Sequence, residues 1–367
     1  MGVFKVNGTD ITTIAEVINN TDTRGKSVAF SSGKLNVTGL ADSNKTLANA
    51  PESDYPNWGL HNIVGNKLKV NGVADTVAKK GTRPNFSNLT LLYSTSENRT
   101  ITYDPNKDIT YFYVNSEFPQ NNKIAEGKSV FVFEITSGGG GGGGGNVNFW
   151  GGATGGGGGG GGVTMAGIVD LSRAPGNSLT IQSTGTDRYF YGGSGGGGKS
   201  NGGAGTTLQM IINGTVVLTA YGGGGGKAGA SSGGGTVAGG AAGTASYIEP
   251  TDYFRVFSYG LGGYGGKSTA AGDKTDGTSI NIPFDGTKVS MTGQSGGSGG
   301  GTNGGGGGGA SGRLIQGQSV PGSGGADRNN GGAGSYIGAG GGGGGAHFSG
   351  GGQSGGAGSA GRIAFYY

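Results

Sequence analysis

Two unbroken stretches of eight glycines, at 138–145 and 155–162, constrain this chain more than any other feature of its sequence. Glycine loses more conformational entropy on ordering than any other residue, so an isolated run of this kind is normally a flexible linker. Further runs of six glycines follow at 304–309 and 340–345. Runs of similar length favour ordered stacking, which a linker does not need.

Glycine is distributed unevenly along the 367 residues. Only ten of the 95 glycines precede Ser137. The first 137 residues therefore have ordinary globular composition, whereas more than a third of the remainder is glycine, against an average of roughly 7%. This shift predicts an N-terminal attachment domain of residues 1–137 and a glycine-rich domain of residues 138–367.

The N-terminal domain is predicted to be β-rich. Two similar phrases, Lys5–Asp10 and Lys69–Asp75, contain the Asn-Gly pair of a tight turn. Apolar residues recur at helical spacing over 11–18, which predicts one short helix. Runs rich in β-branched and aromatic residues predict strands at 89–93, 100–103, 109–114 and 129–135.

Strand-like segments also interrupt the glycine-rich domain. Apolar alternation predicts strands at 178–182 and 254–259, a hairpin over 208–219 around Asn213-Gly214, and a terminal strand at 362–367. Two short runs, 279–282 and 288–291, complete this set. A degenerate repeat joins a tyrosine to a following glycine run that ends in lysine, in the pairs Tyr191 and Lys199, Tyr221 and Lys227, and Tyr259 and Lys267.

The predicted fold class is mainly β, with a small β-rich N-terminal domain followed by packed polyglycine-II helices with interspersed strands. An extended threefold helix rises about 3.1 Å per residue, so eight residues span roughly 25 Å, comparable to a strand. Without Cβ atoms such helices pack closely, and their N–H and C=O groups bond to neighbouring helices. A collagen triple helix is disfavoured, because the chain has only nine prolines and no strict Gly-X-Y period.

Composition and motifs argue against several classes of function. A net charge of +4 from 25 basic and 21 acidic residues, without a basic block, predicts no nucleic-acid partner. The chain has no cysteine, and no apolar run approaches the roughly 20 residues that span a bilayer, so we expect no membrane insertion. Gly193–Ser200 matches the phosphate-loop pattern, but the Asn201–Gly205 segment that follows does not predict the required helix. His61 and His347 lack a nucleophile or metal context, so we predict neither enzyme activity nor a cofactor or metal site.

Recognition is expected instead in the segments that connect the glycine runs. Loops held on a rigid frame commonly carry binding residues, and exposed aromatic and arginine side chains are favoured anchors. For any one aromatic residue, sealing between layers is an equal alternative. The candidate receptor-binding residues are Phe149, Trp150, Arg188, Tyr189, Tyr264, Arg328, His347 and Phe348.

The segment 138–367, about two thirds of the chain, resembles the glycine-rich domains of phage tail fibres and tail-tip adhesins. The phrases that carry the resemblance are the two eight-glycine runs, Tyr221–Lys227 and Ala339–Phe348. The resemblance implies a virion protein in which packed polyglycine helices form a sandwich whose terminal loops contact the host. The tryptophan-containing docking segment with which such adhesins usually begin has no recognisable equivalent here.

The resulting hypothesis is a tail-fibre or tail-tip adhesin of the virion. Its partners would be a host cell-surface protein or glycan and other tail or fibre proteins, with a homotrimer and a monomer both left open. The alternatives are a purely structural head, collar or tail fibre without receptor binding, and a glycine-rich cell-surface or ice-binding protein.

Overall fold

The computed structural model divides the chain into two compact units, Met1–Lys80 and Gly81–Tyr367. The structure describes residues 4–6, 9–11, 27–31, 34–38, 84, 89–113, 123–147, 153–230, 236–249, 251–268, 270, 272, 279–281, 288–290, 296–300, 304–311, 322–326, 328–335, 337–347 and 352–367.

The first unit contains two antiparallel hairpins among its described residues. Strand β1 (Phe4–Val6) pairs with β2 (Thr9–Ile11), and β3 (Ser27–Ser31) pairs with β4 (Lys34–Thr38). Val6 lies opposite Thr9, which leaves two residues between the strands, the number that the predicted Asn-Gly turn needs. Ile11 ends a strand where the sequence predicts the start of a helix; the rest of that predicted helix and the Lys69–Asp75 phrase lie outside the described residues.

The second unit is mainly β, as predicted, and most of its strands fall close to the predicted segments. The described part holds one 3-10 turn at Pro175–Asn177 and no longer helix. Its strands are β5 (Leu91–Thr95), β6 (Arg99–Asp104), β7 (Ile109–Tyr113), β8 (Lys123–Glu126), β9 (Val130–Thr136), β10 (Thr164–Asp170), β11 (Ser178–Ser183), β12 (Leu208–Ile212), β13 (Thr215–Ala220), β14 (Ala245–Tyr247), β15 (Phe254–Gly260), β16 (Ser279–Asn281), β17 (Lys288–Ser290) and β18 (Arg362–Tyr366).

Two antiparallel sheets pack around one hydrophobic core. A five-stranded sheet has the order β15-β10-β9-β18-β5, and a seven-stranded sheet has the order β14-β13-β12-β11-β6-β7-β8. Phe112 of the larger sheet contacts Phe131 and Phe365 of the smaller one, with ring centroids 5.5 and 5.6 Å apart. These edge-on and tilted contacts are the favoured geometries of aromatic pairs and join the two sheets.

The hairpin between β12 and β13 turns at the predicted Asn213-Gly214 pair. Both residues have positive φ, 48° for Asn213 and 75° for Gly214. Two successive residues of positive φ define the type I′ turn, whose twist matches that of the flanking strands. The sequence pair therefore fixes the register in which Ile212 faces Thr215.

The predicted domain boundary at Ser137 falls inside the second unit. Strand β9 precedes Ser137, yet it pairs with β10 and β18, which follow it. Likewise β6 pairs with β11. The change in composition at Ser137 therefore marks a change of secondary structure within one compact unit, whereas the division between units lies at Lys80.

The glycine runs continue directly from strands of both sheets. In the β9–β10 pair, Thr136 faces Thr164, and the same two segments then stay bonded as they leave the sheet. Beyond Ser137 the bonds from the first segment to the second recur at residues 137, 140, 143 and 146. From Ser137 onward, the hydrogen bonds between these two segments therefore recur every three residues.

Candidate binding surface of the glycine-rich body

Successive residues of the run 138–146 bond to different neighbours in strict rotation. Gly140 and Gly143 donate their N–H groups to the carbonyls of Gly160 and Gly157, and Asn146 donates to Thr154. Gly138, Gly141 and Gly144 donate to Thr206, Gly203 and Ser200, while Gly139, Gly142 and Gly145 donate to Ser359, Gly356 and Gln353. The three acceptor runs are all antiparallel to the donor, since the partner numbers decrease along it.

The carbonyl groups of the same run accept from three other neighbours. Gly138, Gly141 and Gly144 accept from Gly223, Gly226 and Gly229, and two further parallel runs, 193–199 and 341–347, donate to the remaining carbonyls. Each residue from Gly138 to Asn146 thus has both backbone groups bonded. The run is enclosed by six neighbours, which accounts for its complete burial.

Four runs are buried along their whole described length: 138–146, 153–162, 304–311 and 338–346. We call these the interior runs. They contain the four long glycine stretches of the sequence, and they bond to one another, for example through Gly156 to Gly344 and Gly340 to Gly309. The longest glycine stretches therefore form the centre of the body rather than its connections.

Close approach of neighbouring backbones explains why the interior runs are glycine. A Cβ at Gly141, Gly142 or Gly143 would lie 2.0, 2.1 or 2.0 Å from a carbonyl oxygen of Ser194, Gly342 or Lys227, respectively. None of these three glycines has a φ in the left-handed region. The requirement is therefore steric exclusion of a side chain and not a backbone conformation reserved for glycine.

Several of the surrounding runs expose every third residue and carry side chains at those positions. In the run 352–361, Ser354, Ala357 and Ala360 are exposed while the glycines between them are partly or fully buried. The exposed residues Ala238, Ala241 and Thr244 are likewise three positions apart, as are Tyr264 and Lys267. We call these the outer runs: 191–200, 201–207, 221–230, 236–244, 261–268, 322–326 and 352–361.

The body ends away from the sheets at a surface that we call the distal end, formed by Asn146, Thr154, Lys199, His347 and Gln353. Hydrogen bonds join these positions: Lys199 donates to Gly145, His347 donates to Asn146, and Gly145 donates to Gln353. Several runs begin or end here, including 138–146, 191–200 and 352–361. The distal end is therefore the surface at which side chains from several runs meet.

The structure brings together part of the predicted site at the distal end. Arg328 is exposed, and its N–H bonds to the carbonyl of Ala346, next to His347. Val147 and His347 form a parallel bridge, so the segments that carry Phe149, Trp150 and Phe348 start from adjacent positions. Those three aromatic residues themselves lie outside the described residues.

Arg188 and Tyr189 lie at the opposite end of the body, beside the sheets. Tyr189 bridges the backbone of Glu97, and the Arg188 guanidinium is 2.8 Å from the Glu97 carboxylate and stacks over the Tyr189 ring. Burial acts to raise the pKa of Glu97, but Arg99 and Arg188 outweigh it and hold that pKa below its usual value. Arg188 is thus engaged in an ion pair with the segment between β5 and β6.

Tyr264 lies on the side of the body, in the outer run 261–268. Half of its side chain is exposed. The structure therefore separates the candidates into three places: the distal end for Arg328 and His347, the sheet end for Arg188 and Tyr189, and the flank for Tyr264.

The phosphate-loop match at Gly193–Ser200 forms part of an outer run. Gly193 and Gly196 donate their N–H groups to Gly139 and Gly142, so these amides are already bonded within the body. Residues 201–207 continue as another extended run and not as a helix. A phosphate loop needs amides at a helix N-terminus, and no helix follows this segment.

Sequence reasoning missed the lysines that end the Tyr-to-Lys repeat as candidate site residues. Lys199, Lys227 and Lys267 are all exposed, and each lies at the distal end or within about one three-residue turn of it. The signal was present in the repeat itself. In each copy of the repeat, the tyrosine lies near the sheet end and the lysine lies nearer the distal end.

Comparisons with protein-family models and with curated proteins found no match for this chain. Among the residues that the structure describes, no helix is long and apolar enough to cross a membrane. The same residues contain no group of three or more His, Cys, Asp or Glu side chains placed to hold a metal ion.

Proposed function

We propose that the glycine runs are polyglycine-II helices packed side by side. Three features support this assignment: a hydrogen-bond period of three, six neighbours around 138–146, and a φ outside the left-handed region at Gly139–Gly145. A left-handed threefold helix presents successive backbone groups about 120° apart, which suits bonding to neighbours on all sides. The body would then be a rigid rod without a conventional hydrophobic core.

On this basis we propose a non-enzymatic virion protein, a tail-fibre or tail-tip adhesin that binds a host cell surface. The observation that carries the proposal is that several runs end together at the distal end of a body in which every residue of the run 138–146 has both backbone groups bonded. Loops held by such a rigid body would lose little conformational entropy when they bind a receptor. The Met1–Lys80 unit would attach the protein to its fibre or tail partner.

Adsorption blocking tests this function with the full chain. Purified protein is added in excess to bacterial strains that support adsorption of a phage carrying this protein, and free phage is counted. A receptor-binding protein occupies the receptor and lowers the adsorption rate in proportion to its own binding to the cells. Normal adsorption with no protein on the cells would refute receptor binding and leave the purely structural fibre.

A further inference from the structure

We infer that the distal end binds an anionic polysaccharide of the host surface, through Lys199, Lys227 and Lys267 with Asn201. This inference rests on the proposed adhesin function and specifies the chemistry of its receptor. The three lysines come from separate outer runs that all lead from the sheet end outward. They therefore form a set of cations spread over one end of the body.

The cations of the sheets and those of the glycine-rich body differ in their partners. Arg99, Arg173 and Arg362 each lie within 4 Å of a carboxylate, that of Glu97, Asp170 or Glu134. Lys199, Lys227 and Lys267 have no ion pair with any described residue. The described residues of the interior and outer runs include no carboxylate side chain.

Asn201 adds a neutral donor between two of the lysines. Its Oδ1 accepts a hydrogen bond of 2.8 Å from the N–H of Ala228, the residue after Lys227. Because the oxygen is held by this bond, the amide nitrogen of this exposed side chain keeps both hydrogens for another partner. Lys199 lies two residues before Asn201, so Asn201 lies between two positions that carry lysine.

This surface presents hydrogen-bond donors, and its described residues include no carboxylate. Such a surface fits a ligand rich in acceptor oxygens. Carboxylate, phosphate and sulfate groups accept charge-assisted hydrogen bonds from lysine, and sugar hydroxyls pair with amides. Nucleic-acid binders commonly neutralise about 6–10 phosphates, more than this set of lysines can. Arg328 adds a fourth exposed cation at the same end, preceded in sequence by Asp327, which lies outside the described residues.

Immobilised polysaccharides of defined charge test the inference on the full chain. The probes are dextran sulfate, polygalacturonate and neutral dextran, with a single-stranded DNA as the competing polyanion, at about 50 and about 200 mM NaCl. We compare Lys199→Gln/Lys227→Gln/Lys267→Gln with a control of equal charge change, Lys5→Gln/Lys26→Gln/Lys34→Gln, after verifying by thermal unfolding that both fold.

The expected result is salt-sensitive binding to the two charged polysaccharides and none to neutral dextran. The distal variant should weaken that binding at least about tenfold, and the control by less than about twofold. Equal losses in both variants would mean attraction by net charge alone, and tighter binding to DNA would indicate a nucleic-acid site; either overturns the inference. Cell binding that the distal variant leaves unchanged would overturn it while the adhesin function stands, whereas absence of cell binding in every variant would overturn both.

Discussion

The same substitution, glycine to alanine, is expected to have opposite effects on stability at two positions of the glycine-rich body. At Gly142 a Cβ would lie 2.1 Å from the carbonyl oxygen of Gly342, whereas an ordinary contact is at least 3.4 Å. At Gly197 no atom lies within 4 Å of the added Cβ. Both changes restrict the unfolded chain equally, so their difference reports on packing in the folded state.

The magnitude at Gly142 follows from the bonds that must open. A separation of about 1.3 Å between the runs 138–146 and 338–346 would break two buried bonds, from Gly341 to Gly140 and from Gly344 to Gly143. At about 1–3 kcal/mol for each of the two buried N–H groups left without an acceptor, Gly142→Ala costs about 2–6 kcal/mol or more. Gly197→Ala should instead stabilise by about 0.4–1 kcal/mol, because alanine has fewer unfolded conformations.

Scanning calorimetry of the full chain measures both effects. At about 2 °C per kcal/mol for a unit of this size, Gly142→Ala should lower the Tm by roughly 4–12 °C, and Gly197→Ala should raise it by roughly 1–2 °C. Circular dichroism of the folded variants verifies that each retains its sheets. Equal shifts in the same direction at the two positions would refute close packing of the interior runs.

Further predictions concern protection, turn strain, pH and binding. Amides of 139–145 should exchange with deuterium far more slowly than those of a glycine linker, because each is bonded inside the body; exchange on the linker timescale would contradict the packed structure. Gly214→Ala should cost about 1–2 kcal/mol in urea unfolding, since its φ of 75° is unfavourable for alanine. Burial raises the pKa of Asp170, although hydrogen bonds and a nearby arginine oppose this, so its contribution to stability falls as pH rises above about 4. Asp170→Asn should remove that decline, as measured by urea unfolding at pH values below and above about 4. Arg188→Ala should leave polysaccharide binding unchanged, because Arg188 lies at the sheet end in an ion pair with Glu97.

Side-chain pattern was sufficient to predict most strands. Alternation and β-branched residues located β9, β11 and β15, and the Asn213-Gly214 pair located a hairpin. Strand β10 was missed, because Ala166 and Gly167 at its centre weaken the strand signal. Gly167 is nonetheless needed there, since a Cβ would lie 2.5 Å from the Phe133 ring.

The arrangement of the glycine runs could be predicted only in part. Their lengths indicated stacking, but bare glycine carries no side-chain information about which run neighbours which. The sheets supply part of that order, because the runs 138–146, 153–162 and 352–361 adjoin the strands β9, β10 and β18, whose pairing is set. For the same reason the lysine set was not recognised: its members are 28 and 40 residues apart in sequence, from Lys199 to Lys227 and from Lys227 to Lys267, and only the parallel course of their runs brings them to one end.

The three-residue phase of the outer runs restricts how the length of this body can change. One extra glycine in the run 352–361 would turn every later side chain by about 120°, so that Ala357 or Ala360 would point into a neighbouring backbone. Three extra residues would restore the phase and lengthen the run by about 9 Å. If the runs pack as proposed, the length of this body can therefore change only in multiples of three residues.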